Sequence, residues 1–234
     1  MGIQDASGLK ALLFDLDGTL VDSVPDIAAA TNQLLDSEGH TPLEVDEVRR
    51  MIGHGIPKLV ERALAARGRV LDAEALAPLV ARMNAFYGDN LTGRTTLLPG
   101  AVEALEEGKR AGLGLAVVTN KPEGFSRTIV AHFGLEDLVP VVVGGDTCAT
   151  RKPAPEMLLH AAAKLGATPA TAVMVGDSGA DVDSARAAGM KVIVVRGGYG
   201  GVAAEDLGAD VVIDTLADLF GALERLAQTA SARA

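Results

Sequence analysis

Four short apolar runs in this chain each end in a polar cluster, and that recurrence restricts the fold more than any other feature. Lys10 to Phe14 runs into Asp15-Leu16-Asp17-Gly18-Thr19, and Leu113 to Val118 into Thr119-Asn120-Lys121. Val139 to Val143 leads through Gly144-Gly145-Asp146 to Arg151-Lys152-Pro153, and Ala172 to Val175 ends in Gly176-Asp177-Ser178-Gly179-Ala180-Asp181. Such runs are too short and too continuously apolar for amphipathic helices, and glycine punctuates them, so they read as strands of a parallel sheet buried on both faces. Open α/β sheets place ligands beyond the carboxyl ends of their strands, where Asp15 and Asp17 would then sit. Taken alone, two aspartates before a glycine are also what a turn requires. Three further clusters in the same context favour a site.

Between the first and second clusters the pattern changes. From Pro25 to about Tyr87 apolar residues recur at helical spacing: Ile27, Ala30, Leu34 and Leu35; Val48, Met51 and Ile52; Leu59, Ala63 and Leu64; Leu76, Leu79, Val80 and Met83. This predicts a small bundle of about four helices inserted into an α/β chain. After Pro99 apolar runs alternate with Ala-rich helical stretches, as in βα units, with further strands at Val192 to Val195 and Val211 to Ile213. The expected fold is therefore α/β, a Rossmann-like parallel sheet core (residues 1–20 and 95–234) carrying an inserted α-helical domain (21–94).

A chain of 234 residues suits one large domain with a modest insertion, and at that size roughly 70% of the unfolded surface can be buried without staples. One cysteine, Cys148, excludes an intramolecular disulfide framework and fits a reducing compartment. A formal net charge of −10 with no basic run argues against a nucleic-acid partner. No stretch approaches the ~18 consecutive apolar residues that span a bilayer, and Met1 to Lys10 lacks the pattern of a secretory signal, so a cytoplasmic protein without a membrane partner is expected. The oligomeric state is left open, a homo-oligomer included.

In order along the chain, DLDGT, TNK, KP and GDSGAD resemble the four motifs of the haloacid dehalogenase-like hydrolase superfamily. The longer DLDGTLVDSVPD, together with Ile52-Gly53-His54-Gly55 and VVTNKP, is similar to phosphoglycolate phosphatases; the resemblance runs from about residue 9 to about residue 220. It implies a Mg²⁺-dependent phosphatase acting on a small phosphorylated metabolite, 2-phosphoglycolate above others, with the inserted helices forming a cap hinged near Leu20 to Pro25 and Gly93 to Pro99. By the same resemblance Asp15 attacks phosphorus and forms an aspartyl phosphate, while Asp17 protonates the leaving alkoxide and later takes a proton from the hydrolytic water.

The charges of such a reaction need compensation. A phosphate monoester carries nearly two negative charges at neutral pH, and two unit charges 3 Å apart repel by roughly 5 kcal/mol at an effective dielectric near 20. Asp15, Asp177 and a backbone carbonyl at Asp17 would offer Mg²⁺ hard oxygens, with Lys152 as the second cation. The amides of Leu16 to Thr19, Gly18 among them, would cradle phosphoryl oxygens, and Thr119 and Asn120 would complete the cup. Asp181 has two readings: a carboxylate orienting metal water or Lys152, or a charge at a helix N-terminus. His54 lies between Gly53 and Gly55 as a substrate contact or a plain turn; Lys121 is a further contact for an anionic substrate, and Asp22 a hinge contact or a surface residue. His40, His132 and His160 are not spaced as a zinc site. Gly197 to Gly201 lacks the spacing of a dinucleotide loop.

Three alternatives stand beside this reading. Gly55-Ile56-Pro57-Lys58 resembles the segment where phosphonoacetaldehyde hydrolases place a Schiff-base lysine, although Asp17 stands where that family has alanine. Sugar-phosphate mutases share a similar first motif. A non-catalytic phosphometabolite-binding protein would keep the pocket without needing the full set of acids.

Overall fold

The computed structural model of the chain describes residues 8–199 and 201–231; the expected core residues Met1 to Ser7, Gly200 and 232–234 lie outside it. The chain opens with β1 (Ala11–Phe14) and the two-residue β2 (Val21–Asp22), followed by α1 (Val24–Ser37), α2 (Val45–Arg49), α3 (Ile56–Ala65) and α4 (Ala73–Gly88). After β3 (Thr96–Leu97) come α5 (Ala101–Arg110), β4 (Gly114–Val118), α6 (Glu123–His132), β5 (Val141–Val143) and α7 (Glu156–Lys164). The remainder is β6 (Ala172–Gly176), α8 (Gly179–Ala188), β7 (Lys191–Val195), β8 (Val211–Ile213) and α9 (Leu219–Ser231). Among the described residues no helix is long and apolar enough to cross a membrane.

The sheet has six parallel strands in the order β5-β4-β1-β6-β7-β8. Its side chains alternate between two layers, as the period of two along a strand demands. Leu12 and Phe14 of β1 join Leu105 of α5, Ile129 of α6 and Leu223 of α9, whereas Ala11 and Leu13 join Met157 of α7 and Ala185 of α8. Because both faces are covered, β1 needs no polar residue, which is why it reads as an unbroken apolar run. Full burial of one such side chain stabilises by about 1.5–3 kcal/mol.

The inserted helices pack on one another, α4 against α1 and α3, and α2 against α1. Helix α3 follows Gly55 at φ +81° and buries Ile56, Leu59, Val60, Ala63 and Leu64. Helix α4 starts where the Asp72 side chain accepts from Ala75 N at 2.9 Å and buries Leu79, Met83 and Tyr87 at intervals of four. The two chain crossings between helices and sheet core are paired with each other: β2 and β3 form an antiparallel ribbon with Val21 opposite Leu97 and Asp22 opposite Thr96. Beside it, buried Asp26 accepts from the backbone N–H groups of Arg94 and Thr95 and from Thr95 Oγ1, at 2.7 to 3.0 Å. The N-terminus of α1 is thus tied to the returning strand.

Candidate active site

From β1 the chain steps outward to β4 and β5, then returns to lay β6 on the other side of β1. Phe14 is level with Val117 and with Val175, so Asp15, Thr119 and Asp177 emerge together at the carboxyl edge where strand order reverses, the crevice that α/β sheets use for ligands. The Asp15 and Thr119 amides stay in the ladder, donating to Val175 O at 2.9 Å and Val143 O at 3.0 Å. Only their side chains are free to turn to a ligand.

Lys152 Nζ has three acceptors: Asp181 Oδ1 at 2.6 Å, Val118 O at 2.8 Å and Asp15 Oδ1 at 3.1 Å. Burial disfavours its charge, but the carboxylates of Asp15 and Asp181 outweigh that and raise its pKa. Asp15 Oδ1 also accepts from Leu16 N at 2.7 Å. Among the described residues nothing donates to Asp15 Oδ2. Burial pushes the Asp15 carboxyl up to about 7 against the pull of Lys152, with Asp181 and Asp17 adding to the rise.

Asp177 accepts from Thr19 Oγ1 at 2.9 Å and from Tyr199 N at 2.7 Å. Its pKa is raised by burial and then by its neighbours Asp181 and Asp15. One oxygen from each of Asp15, Asp177 and Asp181 falls within 4.8 Å of the others. Asp181 is already committed to the protein: besides Lys152, it accepts from Ser178 Oγ at 2.6 Å, Ser178 N at 3.0 Å and Asp177 N at 3.2 Å. It caps α8 and holds the lysine at once. Gly18, at φ +85°, brings backbone so close to Asp177 that a Cβ there would lie 2.5 Å from Asp177 Oδ2.

Several site residues are oriented otherwise than the motifs imply. The Asp17 side chain stands apart from the three-acid group, its Oδ1 accepting from Lys121 Nζ at 2.5 Å and Ser23 Oγ at 2.5 Å, so any part in a metal site falls to its backbone carbonyl. The Gly18 N–H donates to Val21 O at 2.9 Å, and those of Leu16 and Thr19 are bonded within the same turn. Among the four amides expected to cradle a phosphoryl group, that of Asp17 alone has no acceptor among the described residues. Asn120 Nδ2 donates to Gly53 O at 3.0 Å and Lys152 O at 2.9 Å, which links the helical insertion to the lysine loop, while its buried Oδ1 has no partner. His54 is exposed and lies outside the cavity over Asp15, which Gly53 and Gly55 line through backbone. Lys58 is half-exposed, pairs with Glu61 at 2.7 Å and does not line that cavity.

Two tyrosines, Tyr87 and Tyr199, enter the site without a motif to announce them. Tyr87 of α4 accepts from Lys121 Nζ at 2.6 Å; burial pushes its hydroxyl up to about 12, so it stays neutral. Lys121 is buried, yet its pKa is raised because Asp17 and Tyr87 outweigh the desolvation. Tyr199 OH donates to Asp22 Oδ1 at 2.8 Å and accepts from Ser23 N at 3.0 Å, with the Arg49 guanidinium 5.4 Å above its ring; Asp22 is thus a contact of the ribbon. Gly198 passes so close that a Cβ would lie 2.2 Å from Asp177 Cβ, which accounts for a glycine in a run with no dinucleotide spacing. The chain has two tyrosines in all, and both sit here. In so aromatic-poor a sequence, that scarcity was the available signal.

Residues 9–189 match the haloacid dehalogenase-like hydrolase family. The chain is 40% identical over 216 residues to a phosphoglycolate phosphatase of Chromobacterium violaceum, covering 91% of this chain and 95% of that protein. It is 42% identical over 214 residues to the phosphoglycolate phosphatase of Rhodospirillum rubrum, covering 90% and 89%. Among solved structures, a crystal structure described as a predicted phosphoglycolate phosphatase from Haemophilus somnus superposes with a TM-score of 0.85 at 32% identity, over 91% of this chain and 97% of that one.

Proposed function

The chain belongs to the haloacid dehalogenase-like hydrolases and is a phosphoric monoester hydrolase, and on that premise we propose that it is a Mg²⁺-dependent phosphatase of 2-phosphoglycolate working through an aspartyl phosphate on Asp15. The observation that carries the choice of substrate is the uneven lining of the cavity. Its floor is polar, with Asp15, Asp17, Asp177, Thr119, Asn120 and Ser178; the walls that the helical insertion lays over it are mostly apolar, with Ile27, Ile52, Ile56, Leu59 and Met83 beside Tyr87, and among the described residues Lys121 is the one cation lining it. A sugar phosphate has more hydroxyls than the few polar groups at the rim can meet, and each one left against the apolar walls without a partner costs roughly 1–3 kcal/mol. A two-carbon acid needs one cation and little else. The exposed Lys58–Glu61 pair gives a Schiff base no place in this cavity.

The donor set fits Mg²⁺: carboxylate oxygens with no nitrogen or sulfur among them, and an Asp177 whose buried charge is uncompensated enough to raise its pKa. Asp15 and Asp177 would hold the ion, which when bound would supply positive charge against the phosphoryl oxygens. The protein's own groups do the rest. Asp15 attacks phosphorus through Oδ2, the oxygen to which nothing described donates. Lys152, fixed by three acceptors, holds an ammonium 3.1 Å from the other oxygen of the nucleophile, where it offsets charge with no reorganisation during the reaction. The Thr119 hydroxyl donates to a phosphoryl oxygen, and Asp17 gives its proton to the leaving alkoxide and recovers one from the attacking water. The helical insertion serves as a cap, excluding bulk water when it rests on the sheet edge.

The test is a set of initial rates on 2-phosphoglycolate, glucose phosphates and phosphonoacetaldehyde, with Mg²⁺ or with chelator. The highest kcat/KM is expected for 2-phosphoglycolate, with loss of activity in chelator. Asp15→Asn should retain less than about 1% of turnover with its fold intact, since an amide cannot form the acyl phosphate. A sugar phosphate preferred over 2-phosphoglycolate, or turnover by Asp15→Asn with deamidation excluded by mass spectrometry, would overturn the reading.

A further inference from the structure

Lys152 already supplies the ammonium beside the nucleophile, so phosphoryl transfer does not account for a second buried lysine. Lys121 Nζ lies 2.5 Å from Asp17 Oδ1 and 2.6 Å from Tyr87 OH. An ammonium has three protons; the third has no protein acceptor among the described residues, and Lys121 lines the cavity. Tyr87 is similarly half-used. It accepts from Lys121, its own proton has no acceptor among the described residues, and its ring lies 4.9 Å under the ammonium. The ring is held in turn from the sheet core, meeting Phe125 edge-on at 5.7 Å and 89°.

We propose that Lys121 and Tyr87 form a subsite for a carboxylate one carbon removed from the ester oxygen, Lys121 binding the anion and Tyr87 positioning Lys121 while donating a second hydrogen bond. This rests on the phosphatase reading of Asp15 and Asp17. The proton donor must touch the leaving oxygen, so that oxygen lies one hydrogen bond from Asp17, and Lys121 one hydrogen bond beyond. Two such lengths and the width of the carboxyl group between them put the ammonium within about 7 Å of the leaving oxygen. In 2-phosphoglycolate a single methylene separates ester oxygen and carboxylate, so one molecule reaches both groups. An ester without the acid presents a methyl to two unfilled donors, and a longer acid carries its carboxylate past them in a cavity whose walls include Ile52, Ile56 and Leu59. The two halves come from different parts of the chain, Tyr87 from α4 of the insertion and Lys121 from the loop after β4. The subsite is therefore complete only while the helices rest on the sheet edge, which couples recognition of the acid to closure.

The experiment compares kcat and KM for 2-phosphoglycolate and for ethyl phosphate, in which a methyl replaces the carboxylate, in the full-length wild type, Lys121→Met and Tyr87→Phe, with folding checked by circular dichroism. Wild type is expected to favour 2-phosphoglycolate. Loss of a charge-assisted hydrogen bond should lower the ratio of the two kcat/KM values by about 10- to 100-fold in Lys121→Met. Tyr87→Phe, which keeps the ring and hence the packing, should lower it about 3- to 10-fold, mainly through KM for 2-phosphoglycolate. Should Lys121→Met fail to fold, Tyr87→Phe decides alone. A preference that survives in the variants, or parallel losses on both esters as a merely structural tyrosine would give, overturns the subsite and leaves the phosphatase reading standing. No wild-type hydrolysis of either ester overturns the 2-phosphoglycolate reading on which the subsite rests.

Discussion

Replacing Asp181 by asparagine asks whether this carboxylate acts mainly as the partner of Lys152 or mainly as the cap of α8. Its exposure is 0%, so solvent screens neither interaction. One oxygen takes Lys152 Nζ at 2.6 Å and the other takes Ser178 Oγ, Ser178 N and Asp177 N. An amide has one oxygen to offer. If that oxygen stays at the helix terminus, the cap survives and the new NH₂ group faces the ammonium donor to donor; if the amide flips, the ammonium is satisfied and three donors at the helix start lose their acceptor. The first arrangement loses least, and it still removes one member of a buried ion pair, for which roughly 3–5 kcal/mol is typical. If Asp181 mattered only through its charge near the helix N-terminus, the loss would be about 0.3–1 kcal/mol.

These ranges do not overlap, so urea denaturation at pH 7 separates them, followed by far-ultraviolet circular dichroism because the chain has no tryptophan. The expected loss is at least about 3 kcal/mol at an unchanged m-value. A double-mutant cycle with Lys152→Met should give a coupling of about 2 kcal/mol or more, because once the ammonium is gone the amide has nothing to oppose. A loss below about 1 kcal/mol, or the same loss in both backgrounds, would refute the pairing argument.

Asp17→Asn should slow enzyme phosphorylation by 2-phosphoglycolate roughly 10²- to 10⁴-fold but by p-nitrophenyl phosphate much less, since p-nitrophenolate leaves without a proton; rapid-quench measurement of the phosphoenzyme checks this, and equal losses contradict the acid role. Metal-free protein should lose stability as pH rises from about 4 to about 7, because the folded Asp15 carboxyl is raised to about 7 from 3.8 and the folded state therefore binds more protons than the unfolded state across that window. Mg²⁺ needs the deprotonated carboxylates, so its addition should raise Tm more at pH 8 than at pH 5.5 in thermal melts. An equal or larger rise in acid would exclude Asp15 from the metal site.

What was legible in the sequence was local. Strands β1, β4 and β6 end within one residue of the apolar runs that announce them, and the polar clusters behind them, Asp15, Thr119 and Asp177, stand together at one edge because parallel neighbours share a register. The ribbon of β2 and β3 is not legible in the sequence because each strand has two residues and their partners lie far apart in the chain; no periodicity exists in two residues. Hydrogen-bond direction is hidden for a related reason. A motif specifies that Gly18 and Asn120 occur, but whether their N–H groups face a ligand depends on where Val21 O, Gly53 O and Lys152 O fall, and all three are occupied by those donors. The glycines around His54 announced a turn, and turn chemistry leaves the direction of the side chain open. Lys121 shows the same limit most clearly: TNK puts a lysine beside the phosphate cup, while its partners Asp17 and Tyr87 lie 104 and 34 positions away. A core pocket can read a phosphoryl group from residues at strand ends alone. Reading the remainder of the substrate requires contacts between the helical insertion and the sheet core, and those are the contacts that sequence spacing does not encode.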